Sequence, residues 1–248
     1  MSLLLGVNID HIATLRQARY ASQPSSANAE PCPVEACHTA LAGGADSLTI
    51  HIRGDRRHMQ DADAFRIRAE VPLPLNLEMA VTEEMLGIAL KLKPEFVCLV
   101  PENRMEVTTE GGLDVVGNFE KTLSVIARLQ DAGIRVSLFI DPDLHQIESS
   151  KQSGAEMIEL HTGAFANATG EAVGAELERL VIAARAGQAA GLQVNAGHGI
   201  NYTNLFQILT IPYLVELNIG HSIIARSTQV GLRAAVAEMK KLMAGYNL

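Results

Sequence analysis

The sequence predicts a single (β/α)8 TIM barrel, one domain spanning residues 1–248. Three observations carry that prediction. Eight short apolar runs alternate with stretches of helical periodicity, the 248-residue length is the usual size of such a barrel, and no linker-like stretch divides the chain. A doubly wound open sheet is the rival. It calls for a glycine-rich G-x-G-x-x-G turn after an early strand, and "GVNIDHIA" has none.

The strand-like runs cover residues 3–10, 47–52, 73–79, 95–101, 135–141, 157–162, 193–197 and 214–220, each rich in Val, Ile or Leu. Between them, "TEEMLGIALKLK" (82–93), "NFEKTLSVIARLQDAG" (118–133) and "GEAVGAELERLVIAARAGQAAG" (170–191) repeat apolar residues every three to four positions. Gly133 and Gly191 stand where two of these helices should stop. The last helix lies in "GLRAAVAEMKKLMAGY", with Lys240 and Lys241 near its C-terminal end, where the helix dipole favours cations. Residues 20–33 and 100–114 read as long loops, the kind that commonly bind ligands.

Composition narrows the function. Hydrophobic residues make up 48% of the chain, enough for a full core. The net charge of −8 argues against nucleic acid or an anionic membrane as partner, since both require a dense basic patch. It leaves room for small phosphorylated ligands. Cys32, Cys37 and Cys98 are odd in number and lack C-x-x-C spacing, so neither a disulfide framework nor a zinc site is indicated. No targeting segment or membrane-length apolar run is evident, and a cytoplasmic protein is expected.

The chemistry is written at the strand ends, where barrels of this kind build their sites. The first strand leads into Asn8, Asp10 and His11, with Asn8 and Asp10 sharing strand parity. The second ends at His51 and Arg53, followed by Arg56, Arg57 and His58; the third carries Glu78 among apolar neighbours. The fourth leads toward Glu102, Thr108 and Thr109, and the fifth ends at Asp141. The sixth holds Glu159 and His161, the seventh runs into Asn195 and His198, and the eighth into Asn218 and His221. Six of the eight histidines therefore lie at or just after a strand end, and only His38 and His145 fall in helices. Any one of these residues could be a satisfied structural group. Their convergence on one barrel face points to a functional site.

Three chemistries are poorly supplied. There is no H-x-H on the first strand and no H-E-x-x-H helix, so a metal site is not favoured. The six lysines (91, 93, 121, 151, 240 and 241) all read as helical or helix-terminal, which disfavours an enzyme Schiff base. No cysteine ends a strand. Proton transfer by His and Glu remains. "NAGHG" and "NIGHS", after strands seven and eight, suit phosphate binding through loop N–H groups and a helix start. Arg16, Arg19, Arg53, Arg56, Arg57 and His58 suggest a second anion site, hence a substrate with two phosphates or two phosphorylated substrates. A metal-dependent hydrolase using Asp10, His11, His51 and His198 stays open as a rival, as does a non-catalytic sugar-phosphate binding module.

Eight segments, "LLGVNIDHIATLRQAR", "TIHIRGDRRH", "NLEMAVTEEML", "CLVPENRMEVTTEGGLDV", "VSLFID", "IELHTG", "VNAGHGI" and "ELNIGHSII", resemble the pyridoxine 5′-phosphate synthase family of vitamin B6 biosynthesis. The likeness spans essentially the whole chain. It implies a (β/α)8 TIM barrel with extra helices and a transferase-type, ring-closing synthase that uses no cofactor and no metal. The implied substrates are 3-amino-2-oxopropyl phosphate and 1-deoxy-D-xylulose 5-phosphate. Carried over residue by residue, it implies His51 and Glu78 as proton acceptors, His198 as proton donor and Glu159 as the stabiliser of the transition state. Asn8 and Arg19 would contact the amino-oxopropyl phosphate. Asp10, His11, Arg53, His58 and Thr108 would contact the xylulose phosphate, and Gly199, Gly220 and His221 would complete the phosphate face. The family also implies a homo-octamer.

Overall fold

The structure is a computed structural model that describes residues 2–101 and 111–246. In chain order its first half comprises β1 (Leu4–Asn8), α1 (Asp10–Tyr20), α2 (Pro33–Gly43), β2 (Ser47–His51), α3 (Asp61–Glu70), β3 (Leu75–Ala80), α4 (Glu83–Leu92) and β4 (Phe96–Val100). The second comprises α5 (Phe119–Asp131), β5 (Arg135–Ile140), α6 (Leu144–Gln152), β6 (Met157–His161), α7 (Gly163–Asn167), α8 (Ala172–Ala189), β7 (Gln193–Gly197), α9 (Leu205–Ile208), β8 (Leu214–Ile219), α10 (His221–Val230) and α11 (Leu232–Met243). The strands close into a barrel in sequence order, each parallel to its neighbours, and β1 completes the ring against β8. This is the (β/α)8 architecture the sequence predicts, with additional helices after β1, β6 and β8.

Each strand has two buried faces of opposite character. Outward residues such as Leu5, Val7, Leu48, Ile50, Leu77, Val136 and Ile158 join the helices in one apolar core. The helices meet them with matching stripes. Thr122, Val125, Ile126 and Leu129 form the buried face of α5, and Ala235, Val236, Met239 and Met243 that of α11. Barrel interiors are usually filled by branched apolar side chains. This one is largely polar. Ser47 Oγ donates to Glu216 Oε1 at 2.8 Å, Thr49 Oγ1 to Asn218 Oδ1 at 2.8 Å, and Asn218 Nδ2 to Glu159 Oε2 at 2.7 Å. These bonds join strands that are not adjacent, which only inward side chains can do. A small apolar cluster of Cys98, Val100 and Phe139 shares the interior.

The strand ends differ from expectation at one informative place. β1 stops at Asn8, and Asp10 opens α1 instead of ending the strand. The turn brings the two side chains together all the same. Asn8 Nδ2 donates to Asp10 Oδ2 at 3.0 Å, and Asn8 Oδ1 accepts from the Asp10 N–H at 2.9 Å. Among the described residues, no helix is long and apolar enough to cross a membrane.

Candidate active site

At the C-terminal ends of the strands lies a cleft of about 440 Å3, within the range of small-ligand sites. Twelve of the fourteen predicted site residues line it. From β1 and α1 come Asn8, Asp10 and His11; from β2 and the following loop, His51, Arg53 and His58; from β3 and β6, Glu78 and Glu159. His198 and Gly199 follow β7, and Gly220 and His221 follow β8. Arg19 does not line the cleft: it is exposed in the last turn of α1, its guanidinium 5.7 Å from the Tyr20 ring centroid. Thr108, with Glu102 and Thr109, lies outside the described residues.

Barrel register makes His51 and Glu78 neighbours on β2 and β3, with His51 Nδ1 3.8 Å from Glu78 Oε2. Asp10 supports this pair from below, since its Oδ1 accepts the His51 backbone N–H at 2.9 Å. Across the barrel seam, His11 Nδ1 and His221 Nδ1 are 2.8 Å apart, so one donates and the other accepts. Burial and the neighbouring His221 lower the pKa of His11. His58 is lowered further, to about 4, mainly by burial and then by Arg53, so it is neutral at pH 7. Its Nδ1 accepts the Met59 N–H at 2.8 Å, which leaves the ring proton on Nε2 as a donor.

Glu159 has the opposite shift. Burial first, and the Glu78 carboxylate second, hold its pKa well above the usual carboxylate range, while Asn218 opposes them. Its Oε1 fits only because residue 197 is glycine, where a Cβ would collide with that oxygen. A proton retained on folding has a consequence for stability. The unfolded chain loses it above the ordinary Glu pKa, so Glu159 weakens the fold as pH rises from that value toward the raised folded one. The slope in that window is about 1.4 kcal/mol per pH unit. Glu159→Gln, which needs no proton, is expected to flatten the fall in Tm as pH rises above the ordinary Glu pKa. Identical Tm–pH slopes for the two proteins would contradict a protonated Glu159.

The broad basic cluster suggested by the sequence is mostly neutralised. Arg16 forms a two-pronged pair with Asp63, both contacts 2.7 Å, and is buried away from the cleft. Arg56 pairs with Asp61 and Glu84, and Arg57 with Asp55. Arg53 is the member of this cluster that reaches the cleft lining, together with His58. α10 also begins at the cleft: Gly220 is its N-cap, and the first intrahelical bonds come from the Ile223 and Ile224 N–H groups to the Gly220 carbonyl. His221 and Ser222 line the cleft, and their N–H groups, in the first turn, have no intrahelical partners, an arrangement suited to an anion.

Asn218, which the sequence marks as a strand-end residue without assigning it a role, and Ser222 of the "NIGHS" turn also line the cleft. For Asn218 a signal was present: it shares strand parity with Glu216, and both alternate with apolar Leu217 and Ile219. Among the described residues, Asp10, His51 and His58 bring potential metal-ligating atoms within 4.8 Å of one another. Two of those residues already accept hydrogen bonds. Asp10 accepts from Asn8 and His51, and His58 spends its bare nitrogen on Met59.

The family profile described as "Pyridoxal phosphate biosynthesis protein PdxJ" matches residues 5–245. The chain belongs to the PdxJ family. Similar curated PdxJ-type relatives are named pyridoxine 5′-phosphate synthase. The one from Akkermansia muciniphila is 58% identical over 240 residues, covering 96% of this chain and 98% of the relative. That from Magnetococcus marinus is 53% identical over 242 residues, covering 97% of both. Among solved structures, thiamine phosphate pyrophosphorylase from Pyrococcus furiosus gives a TM-score of 0.61 at 16% identity, over 97% of this chain and 95% of that one. Phosphoribosylanthranilate isomerase from Thermotoga maritima gives 0.58 at 12% identity, over 98% of both. At such identities the PdxJ-family chain shares the fold alone with these two.

Proposed function

We propose that the chain is a pyridoxine 5′-phosphate synthase, condensing 3-amino-2-oxopropyl phosphate with 1-deoxy-D-xylulose 5-phosphate and releasing phosphate and water. The observation that carries this reading is full-length identity above 50% to relatives of that name. The cleft supplies chemistry of the required kind. Imine formation, dehydration, phosphate loss and ring closure are proton-transfer steps, and the substrate brings its own amine.

In this reading His51 and Glu78 accept protons, and His198 donates one to a departing group. Glu159 acts as a neutral acid that donates a hydrogen bond where negative charge develops. Asn8, Asp10, His11, Arg53, His58 and Thr108 hold the two substrates, and the opening turn of α10, with Gly199, Gly220 and His221, takes a phosphate. Arg19 keeps its role on the resemblance alone, given its place outside the cleft lining. A transferase-type, cytoplasmic, homo-octameric enzyme without a cofactor or metal completes the proposal. Light scattering on the purified protein checks the assembly, with eight times the chain mass expected and a monomer contradicting it. The activity is tested by incubating purified protein with both phosphates and following pyridoxine 5′-phosphate by fluorescence after chromatography. Absence of product from folded protein would sink the reading.

A further inference from the structure

His198 sits where a histidine is costly to place. Its φ is +75°, the left-handed region that side chains other than glycine avoid. Such a residue persists only when its surroundings over-determine it, and here they can be named. Thr162, fully buried at the end of β6, donates its N–H to the Gly197 carbonyl at 2.9 Å. Its hydroxyl lies within hydrogen-bond reach of both the Gly197 and His198 carbonyls, so its one proton is shared across the turn. Next to it, the His161 ring meets the His198 ring edge to face, centroids 5.1 Å apart, and both rings lean on Phe139.

The His161 ring is itself fixed. Its Nδ1 is 3.0 Å from Asp141 Oδ1. The His161 hydrogen bond holds the Asp141 carboxyl below the usual range, so it is ionised at neutral pH and can only accept. The proton is therefore on Nδ1, and the tautomer and ring plane are set together. Asp141 Oδ1 also accepts the Gly112 N–H at 3.0 Å, which anchors the carboxylate. Residue 163 must be small for the two rings to meet, since a Cβ there would collide with His161 Nε2 and lie 3.2 Å from His198 Cδ2. His161 is buried and is absent from the cleft lining, so it acts through His198.

We propose that Asp141, His161 and Thr162 are positioning residues that hold His198 in its left-handed turn with the ring directed into the cleft. The proposal rests on the reading of His198 as the proton donor, and the experiment separates the two. Thr162→Val removes the hydroxyl at nearly constant shape, and Thr162→Ser restores it. His161→Phe keeps a ring but not the bond to Asp141. Thr162→Val and His161→Phe are expected to lower kcat by roughly 10- to 100-fold, with KM for both substrates within about threefold of wild type, and Thr162→Ser to stay within about threefold in kcat. In protein carrying 15N-labelled histidine, the His198 ring signals should move in His161→Phe and Thr162→Val, while those of His58 stay in place. Wild-type kcat in both variants with unmoved His198 signals would overturn the positioning role. His198→Gln at wild-type turnover would overturn the donor reading instead, and the ring signals would still decide the positioning.

Discussion

Glu78→Gln is expected to reduce turnover by 10²-fold or more while leaving the fold intact. The side chain projects from β3 into the cleft and is largely shielded, 17% exposed, beside His51. Glutamine has the same shape and can still meet the His51 ring, so packing is conserved. It cannot take a proton, and one positioned acid–base group commonly contributes 10²- to 10⁴-fold. The substitution also removes the charge that helps keep Glu159 protonated, so the proton on Glu159 should be held less tightly. Initial rates with both substrates saturating, together with a thermal melt, check this. Retained turnover would remove Glu78 from the chemistry, and a collapsed Tm would show that it holds the fold instead.

Asp63→Ala has the largest effect expected on stability. Arg16 is almost entirely buried, 3% exposed, and Asp63 is its carboxylate partner; its other bonds run to the His58 carbonyl at 3.3 Å and to Gln17. Removing Asp63 strands a guanidinium that cannot lose its proton, which costs about 3–5 kcal/mol in buried pairs. It also frees the Gln60 N–H that Asp63 caps at the start of α3. Denaturant unfolding at fixed protein concentration should show this loss. The double variant Arg16→Met/Asp63→Leu should recover most of it, because matched apolar side chains replace the pair without leaving a charge. A loss under 1 kcal/mol in Asp63→Ala would mean that the pair carries little of the packing between α1 and α3.

The barrel was legible because the outward face of every strand had to be apolar to meet a helix, and that face alone supplies the runs of Val, Ile and Leu. The inward face was harder to see. Ser47, Thr49, Glu216 and Asn218 are spaced by two within those runs, and their bonds to one another cross the barrel, where sequence distance gives no guide. The convergence of His51, Glu78, Glu159 and His198 was visible from strand ends alone, because closing the barrel brings all eight ends to one rim. The arginines misled for the same reason that long-range contacts are hidden. Arg16 and Asp63 are 47 residues apart, so nothing near Arg16 signals that its charge is spent. Asp141 and His161 were each recognisable as strand-end residues, yet their pairing appears only once β5 and β6 are known to be neighbours.

In the proposed function this cleft joins two phosphorylated substrates by acid–base chemistry. The most direct test is the phosphate balance of the purified protein, measured with both substrates and with each omitted, in the presence and absence of a chelator. One phosphate is expected per pyridoxine 5′-phosphate formed, none from either substrate alone, and no effect of the chelator. Phosphate released from a single substrate, and abolished by the chelator, would contradict the proposed function and mark a metal-dependent hydrolase.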